Sequence, residues 1–214
     1  MSFDYKKEYK EFYLPPKKPL IITVPEMKFI SVKGKGDPNE EDGEYKKAVG
    51  MLYALAYTIK MSPRMGHSIP LFFDYVVPPL EGFWFQEGIM GIDYSKKSEF
   101  HWTSVIRVPE FVTKEVFDWA KEEAERKKKI DLSNVEFVSF EEGLCVQVMH
   151  VGSFDSETTT VKEMDEYALS QGYDLDFCDN RLHHEIYLSD PRKTEIDKMK
   201  TVIRHPIKER EKEI

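Results

Sequence analysis

The segment His183-His184-Glu185-Ile186-Tyr187-Leu188 sets two imidazoles, a carboxyl and a phenol within five residues of this 214-residue chain. Strand alternation places His183, Glu185 and Tyr187 on one face and Ile186 and Leu188 on the other. A carboxylate flanked by an imidazole and a phenol can attract a cation or take a proton from water, so Glu185 and Tyr187 are the candidate catalytic pair and His183 a candidate ligand contact. The plainer alternative is the polar face of an edge strand. If helices cover one side of a sheet, Ile186 and Leu188 should pack on them and Glu185 should point away, into a cleft. A metal site is a poorer match. His183 and Glu185 offer two ligands where such sites use three or four, and no HExxH-like pair is present, so neither a metal nor a cofactor is expected.

Aromatic side chains supply the second signal, with 14 Phe, 11 Tyr and 3 Trp. Phe83-Trp84-Phe85, Trp102 and Phe72-Phe73-Asp74-Tyr75 fall on segments that read as strands and put aromatics on both faces. Tyr53 and Tyr57 lie four apart on a helix, beside its apolar stripe. Core packing is the commoner job of any one of them. Together, Tyr53, Tyr57, Phe73, Tyr75, Trp84 and Trp102 are the candidate lining of a box over Glu185, which would hold flat or cationic molecules by stacking and cation–π attraction.

These residues must be positioned by the elements around them. Leu20 to Ile22 and Phe29 to Val32 read as strand. Glu44 to Lys60 is a helix whose buried stripe is Ala48, Leu52, Leu55 and Ile59. Leu71 to Val77, Phe83 to Phe85 and Phe100 to Val108 read as strands, with a polar turn over Asp93 to Ser98. Thr113 caps a helix reaching about Lys129. Val135 to Phe140 and Leu144 to His150 are strands either side of a turn at Glu141-Glu142-Gly143. A helix over 157–170 stops before Gly172, and Leu182 to Leu188 and Thr201 to Pro206 are the last strands.

One short phrase occurs twice. Val105-Ile106-Arg107-Val108-Pro109 returns as Val202-Ile203-Arg204-His205-Pro206, 97 residues later. Ile30 and Val32, followed by helical Tyr45, Ala48 and Leu52, match Val146 and Val148, followed by Val161, Met164 and Ala168, at an offset of 116. The expectation is an α+β fold of two tandem, pseudo-symmetric strand–helix–strand–strand modules, with curved antiparallel sheets, helices on one side and a ligand cleft between the modules. One domain would span 1–214: an arm over 1–19, the first module over 20–112, a connecting helix and second module over 113–207, and a charged, frayed tail over 208–214.

Composition narrows the partners. The net charge of −8 repels a phosphate backbone, so no direct nucleic-acid contact is expected. No apolar stretch is long enough to span a membrane. The first ten residues are polar, and Cys145 and Cys178 make neither a disulfide framework nor a metal pair, so a reducing, cytoplasmic setting is expected. A protein partner is not specified by anything in the sequence.

The duplicated module, Glu185 within His183-His184-Glu185-Ile186-Tyr187-Leu188-Ser189-Asp190-Pro191-Arg192, and the closing Lys200-Thr201-Val202-Ile203-Arg204-His205-Pro206-Ile207 resemble the GyrI-like small-molecule-binding proteins. The resemblance covers roughly 20 to 207, and the opening Asp4 to Pro16 is similar to stand-alone bacterial members of about this length. It implies a pocket between two modules with Glu185 facing it. Some stand-alone members are hydrolases that open the cyclopropane ring of DNA-alkylating cyclopropanoid antibiotics within an aromatic cage. By strand and helix face, Trp84, Trp102, Tyr53 and Tyr187 would form that cage here. The resemblance equally allows a multidrug-binding or sensing protein without catalysis.

Overall fold

The computed structural model describes residues 2–211. Its strands are β1 (Leu20–Lys35), β2 (Leu80–Phe85), β3 (His101–Arg107), β4 (Glu136–Val151), β5 (Tyr173–Leu175), β6 (His183–Tyr187) and β7 (Lys200–Glu209). Its α-helices are α1 (Tyr5–Glu8), α2 (Lys10–Tyr13), α3 (Glu44–Lys60), α4 (Lys114–Lys128) and α5 (Glu157–Ser170). All strand pairs are antiparallel, in the order β4-β1-β3-β2-β6-β7, and β4 pairs with β7 as well. Six strands therefore close into a barrel, and β5 extends β7 at one end. Closure gives every backbone edge in the ring a partner.

The two faces of the barrel wall have different tasks. On the outer face, Ile30, Val32 and Ile106 pack with Leu52, Leu55 and Ile59 of α3. The outer residues of the second half, Val146, Val148 and Ile203, pack with Met164 and Ala168 of α5. The inner face carries Val24, Met27, Phe29, Phe83 and Val105, with Phe140 against them. Helix stripes of one side chain per turn and strand alternation produce this split directly.

The tandem architecture is present: β1-α3-β2-β3 is followed by β4-α5-β6-β7, with α4 between them. Arg107 lies opposite Phe29, and its counterpart Arg204 lies opposite Gln147. The first strands thus correspond two residues away from the match of Ile30 with Val146. A slip of two leaves every side chain on its own face, which is why the sequence match could absorb it.

Four local expectations are corrected. β1 and β4 each run unbroken for 16 residues, without a turn at 141–143. Their alternation breaks once, where Pro25 and Glu142 carry no ladder partner, and Val24 and Met27 then point into one cluster. Pro25 has no N–H to donate, so the chain skips a rung there. Residues 71–77 are not a strand, apart from a single bridge of Tyr75 to Phe3. Both edges of β2 are taken by β3 and β6, so no ladder is left for the segment. The polar stretch 94–99 is a 3-10 helix. The tail begins later than expected, because Lys208 and Glu209 pair with β5; residues 212–214 of that tail lie outside the described residues.

The arm is docked. Tyr5 and Tyr13 are buried, the Glu11 carbonyl accepts from Gln147 at 2.6 Å and the Phe12 carbonyl from Arg204 at 3.0 Å. The Arg107 guanidinium lies 4.7 and 4.8 Å from the ring centres of Tyr5 and Tyr9. No helix among the described residues is long and apolar enough to cross a membrane, and both cysteines are free.

Candidate functional site

Glu185 lies on β6, opposite Gly82 of β2 and Ile203 of β7. It shares the outer, helix-bearing face of the wall with His183, Tyr187, Trp84 and Trp102. This reverses the expectation that it would point away from the helices. In an open sheet the uncovered face would be free, but in a closed barrel that face is the interior and has its own core. The remaining gap is between the helices, where Tyr45 near the start of α3 and Glu157 at the start of α5 meet Glu185.

Hydrogen bonds saturate the carboxylate. Tyr187 donates to one oxygen at 2.7 Å. The other oxygen lies 2.9 Å from His183 Nε2 and accepts from the Tyr94 hydroxyl at 3.2 Å. Tyr94 is also 3.0 Å from Glu157, and Trp84 Nε1 donates to the Tyr187 hydroxyl at 3.0 Å. The Tyr45 phenol faces Tyr187 and Ser104. Behind His183, Nδ1 is 2.7 Å from His205 Nε2, and His205 Nδ1 is 2.6 Å from Asp165 of α5.

The two carboxyls of this cluster are driven apart. Burial pushes Glu185 up, but hydrogen bonds and charge from His183 and the bond from Tyr187 outweigh it and hold Glu185 below the ordinary 4.5. Burial pushes Glu157 well above 4.5, and the neighbouring Glu185 charge adds to that. Burial and charge thus favour the ionised form at Glu185 and the neutral form at Glu157, the pattern that separates a base from an acid in one site. The phenols of Tyr187, Tyr94 and Tyr45 are all raised, first by burial, so they act as donors near neutral pH.

Two glycines shape the aromatic wall. A Cβ on Gly82 would come within 2.6 Å of Trp84 Nε1 and 2.9 Å of the Tyr187 hydroxyl. A Cβ on Gly34 would come within 2.3 Å of the Trp102 ring. Each indole thus lies down on bare backbone. Trp84 and Trp102 are directly opposite across β2 and β3, and Tyr45 contacts both, at centroid distances of 5.4 and 5.2 Å. Among the described residues, Trp102 Nε1, Ser104 Oγ and Glu157 Oε1 on this face are buried without a hydrogen-bond partner. Buried polar atoms are nearly always bonded, but Ser31 Oγ, Ser62 Oγ and the Arg107 Nε and Nη1 atoms away from this face are also unpartnered, so the orphans do not by themselves single it out.

The remaining sequence candidates divide. Tyr53 and Tyr57 sit side by side on α3, with Tyr53 near Asp190 and Arg192 and Tyr57 half exposed. Phe73 and Tyr75 are not brought to Glu185. They pack with Phe3 and Phe111 in the arm cluster, because their segment is a docked loop and not a strand of the wall. Sequence reasoning missed Glu157, Tyr94 and Tyr45. It also counted only two potential metal ligands, whereas Glu157, His183 and Glu185 bring ligand atoms within 4.8 Å of one another. The Tyr94 hydroxyl lies among those atoms, at 3.0, 3.4 and 3.2 Å, so the triangle converges on a phenol oxygen.

A cleft of about 530 Å³ adjoins the cluster. Trp84, Phe85, Met90, Phe177 and Leu182 line it between the loops that follow β2 and precede β6. Trp84 belongs to both cleft and cluster, and Phe177 covers His205 at 4.8 Å. The size suits a drug-like molecule.

The chain is 51% identical to a hydrolase of known structure from Listeria innocua, with a TM-score of 0.86 over 97% of this chain and all of that one. It is 53% identical to an uncharacterized conserved protein of the same organism, with a TM-score of 0.90 and the same coverage. The C-terminal domain of EcmrR shares the fold at 12% identity, with a TM-score of 0.55 over 90% of this chain and 98% of that domain. No curated protein matches the chain at a significant level. The model of the GyrI-like small molecule binding domain matches residues 17–208, and with the tandem barrel and the helix-flanked carboxylate in place, the chain belongs to the GyrI-like family.

Proposed function

We propose that the protein binds flat aromatic or cationic xenobiotics against Trp84 and Trp102, and that it hydrolyses the cyclopropane ring of DNA-alkylating cyclopropanoid antibiotics as a detoxification. The observation that carries the reading is a buried Glu185 carboxyl within hydrogen-bond distance of Tyr187, His183 and Tyr94, beside two indoles laid on glycine backbone. Stacking fixes the flat ligand, and a water bound to Glu185 attacks the ring carbon. The new C–O bond forms as the strained C–C bond breaks. Its electron pair passes through the conjugated system to the carbonyl oxygen, Glu185 takes the water proton, and the oxyanion is protonated from solvent. The strain already activates the ring, so modest base catalysis suffices. Similarity to a protein described as a hydrolase supports a hydrolytic step.

A non-catalytic, drug-sequestering role is the second reading. It is favoured by the saturation of Glu185, since a water must displace one of its three donors to reach it. Mass spectrometry of a cyclopropanoid drug after incubation separates the two. Gain of one water at a rate above the protein-free control supports the hydrolase. Unchanged drug that co-elutes with the protein supports sequestration, and drug neither changed nor bound overturns both.

A further inference from the structure

We infer that Asp165, His205 and His183 form a proton relay that connects the buried Glu185 to solvent. Four groups lie in line, joined by three short contacts: Glu185 Oε1 to His183 Nε2 at 2.9 Å, His183 Nδ1 to His205 Nε2 at 2.7 Å, and His205 Nδ1 to Asp165 Oδ1 at 2.6 Å. Glu185, His183 and His205 are buried, whereas the Asp165 side chain is 21% exposed on α5. Phe177 closes over the His205 ring, so the line leaves the pocket through side chains.

A proton count gives the arrangement its function. Each contact needs one hydrogen, and two neutral imidazoles supply two. The line therefore holds one proton more than neutral imidazoles and ionised carboxylates would carry. That proton has four possible residences: on Glu185, on His183, on His205 or on Asp165. Moving it from one end to the other shifts three hydrogens by one hop each and leaves every hydrogen bond made, with no ring turning. The other groups facing the line do not offer the same route. Tyr94 and Tyr187 are phenols raised far above neutrality, Glu157 is fully buried and leads no closer to solvent, and His150 is tied to Thr160 and to the Ser153 carbonyl.

This inference rests on the proposed hydrolysis for its purpose, because the water proton delivered to Glu185 must leave before the next turnover. No electron moves in the relay. A proton enters at Glu185, and one is released to water at Asp165. The relay residues touch neither water nor drug in this scheme, so they act on rate through Glu185.

The test has an arm that needs no drug. Histidine ¹⁵N spectra of the intact protein should show His183 and His205 titrating as one coupled unit, and Asp165→Asn should change the protonation of His183, two contacts away. Independent titration of the two rings, or a His183 signal indifferent to Asp165→Asn, overturns the relay whatever the protein's activity. In the kinetic arm, Asp165→Asn and His205→Gln should lower kcat about tenfold or more with KM little changed, and should shift the acid limb of the pH profile. Folded variants with wild-type kcat and pH profile also overturn it. If the wild type opens no ring, the proposed hydrolysis fails, and the spectra alone decide the relay.

Discussion

Neighbouring residues of β6 serve two buried polar networks that lie back to back through the barrel wall. His183 and Glu185 face outward, while His184 faces inward and is held between Glu81 at 3.0 Å and Glu142 at 2.9 Å. Arg204 pairs with Glu142 and reaches Gln147 at 2.9 Å, and Phe83 stacks on His184 at 4.0 Å. Inside, His184 pairs with Glu81 and Glu142, and Arg204 with Glu142, while Ser31 Oγ and the Arg107 Nε and Nη1 atoms are buried without a hydrogen-bond partner. Outside, two carboxyls face each other with one imidazole, and three polar atoms are orphaned. The inner network holds its carboxylates against cations, as a structural pin would, whereas the outer one sets two carboxyls against one imidazole beside the indoles. Burial alone therefore does not separate structure from function; the balance of charges around each carboxyl does.

The largest expected effect is on the outer side. Glu185→Gln keeps the shape and most hydrogen bonds but removes the charge and the base. Ring opening should fall by about 10²–10⁴, or cationic-ligand affinity should collapse if the protein only binds, with the melting temperature nearly unchanged. Full activity and affinity in a normally melting variant would break the contrast at its functional end.

Glu142→Gln should do the opposite. It leaves Arg204 and His184 with an uncompensated charge inside the barrel, at a cost of about 3–5 kcal/mol in urea unfolding. Stability loss below about 1 kcal/mol would show that the inner pairs are not needed to hold the wall.

A smaller effect is expected at the indoles. Trp84→Ala or Trp102→Ala should weaken a flat aromatic ligand by about 1–3 kcal/mol in calorimetric titration. Gly82→Ala should act on the same readout indirectly, by displacing Trp84 and Tyr187 from the backbone beneath them. Unchanged affinity in all three variants would remove the aromatic wall from the site.

The mildest effect is on pH. Burial opposes the Glu142 charge, but Arg204 and then His184 outweigh it and hold Glu142 at about 2. Its folded value is depressed from 4.5, so its contribution is present above about pH 4.5 and lost as pH falls toward 2. For His184, burial lowers the value, but Glu142 and Glu81 raise it above 6.5 overall. Its contribution is complete below pH 6.5 and disappears as pH rises through the raised value. Thermal melts should therefore peak between about pH 4.5 and 6.5, and Glu142→Gln should flatten the acid side. A melting temperature that still rises above pH 8 would contradict the sign for His184.

Much of the frame was legible because it repeats at short period. Ala48, Leu52, Leu55 and Ile59 marked the buried stripe of α3, and alternation put Glu185 with His183 and Tyr187. The Trp84 and Trp102 pair followed from the same alternation. Closure was not legible, because the β1–β4 and β2–β6 pairings join the two modules along both edges, which no pattern within either module encodes, and the facing of Glu185 was misread as a result. Glu157 was invisible for a different reason. A glutamate in the first turn of a helix ordinarily complements the dipole at the surface, and only the docking of α5 on the wall buries it. Tyr94 sits in a polar 3-10 turn, where nothing in the sequence distinguishes it from solvent-exposed neighbours.

The docked arm has a consequence for the order of assembly. The Phe12 carbonyl accepts from Arg204 across 192 residues of chain, and Glu11 accepts from Gln147 across 136. Contacts so distant in sequence are slow to form, since the loop between them must be closed first. As the chain leaves the ribosome, the arm can meet Arg107 and Tyr75 of the first module early, but the Gln147 and Arg204 donors to its carbonyls come only with β4 and β7. The arm's docking is thus completed only by the second module, and the last strand of the ring locks in a segment that lies ahead of the first.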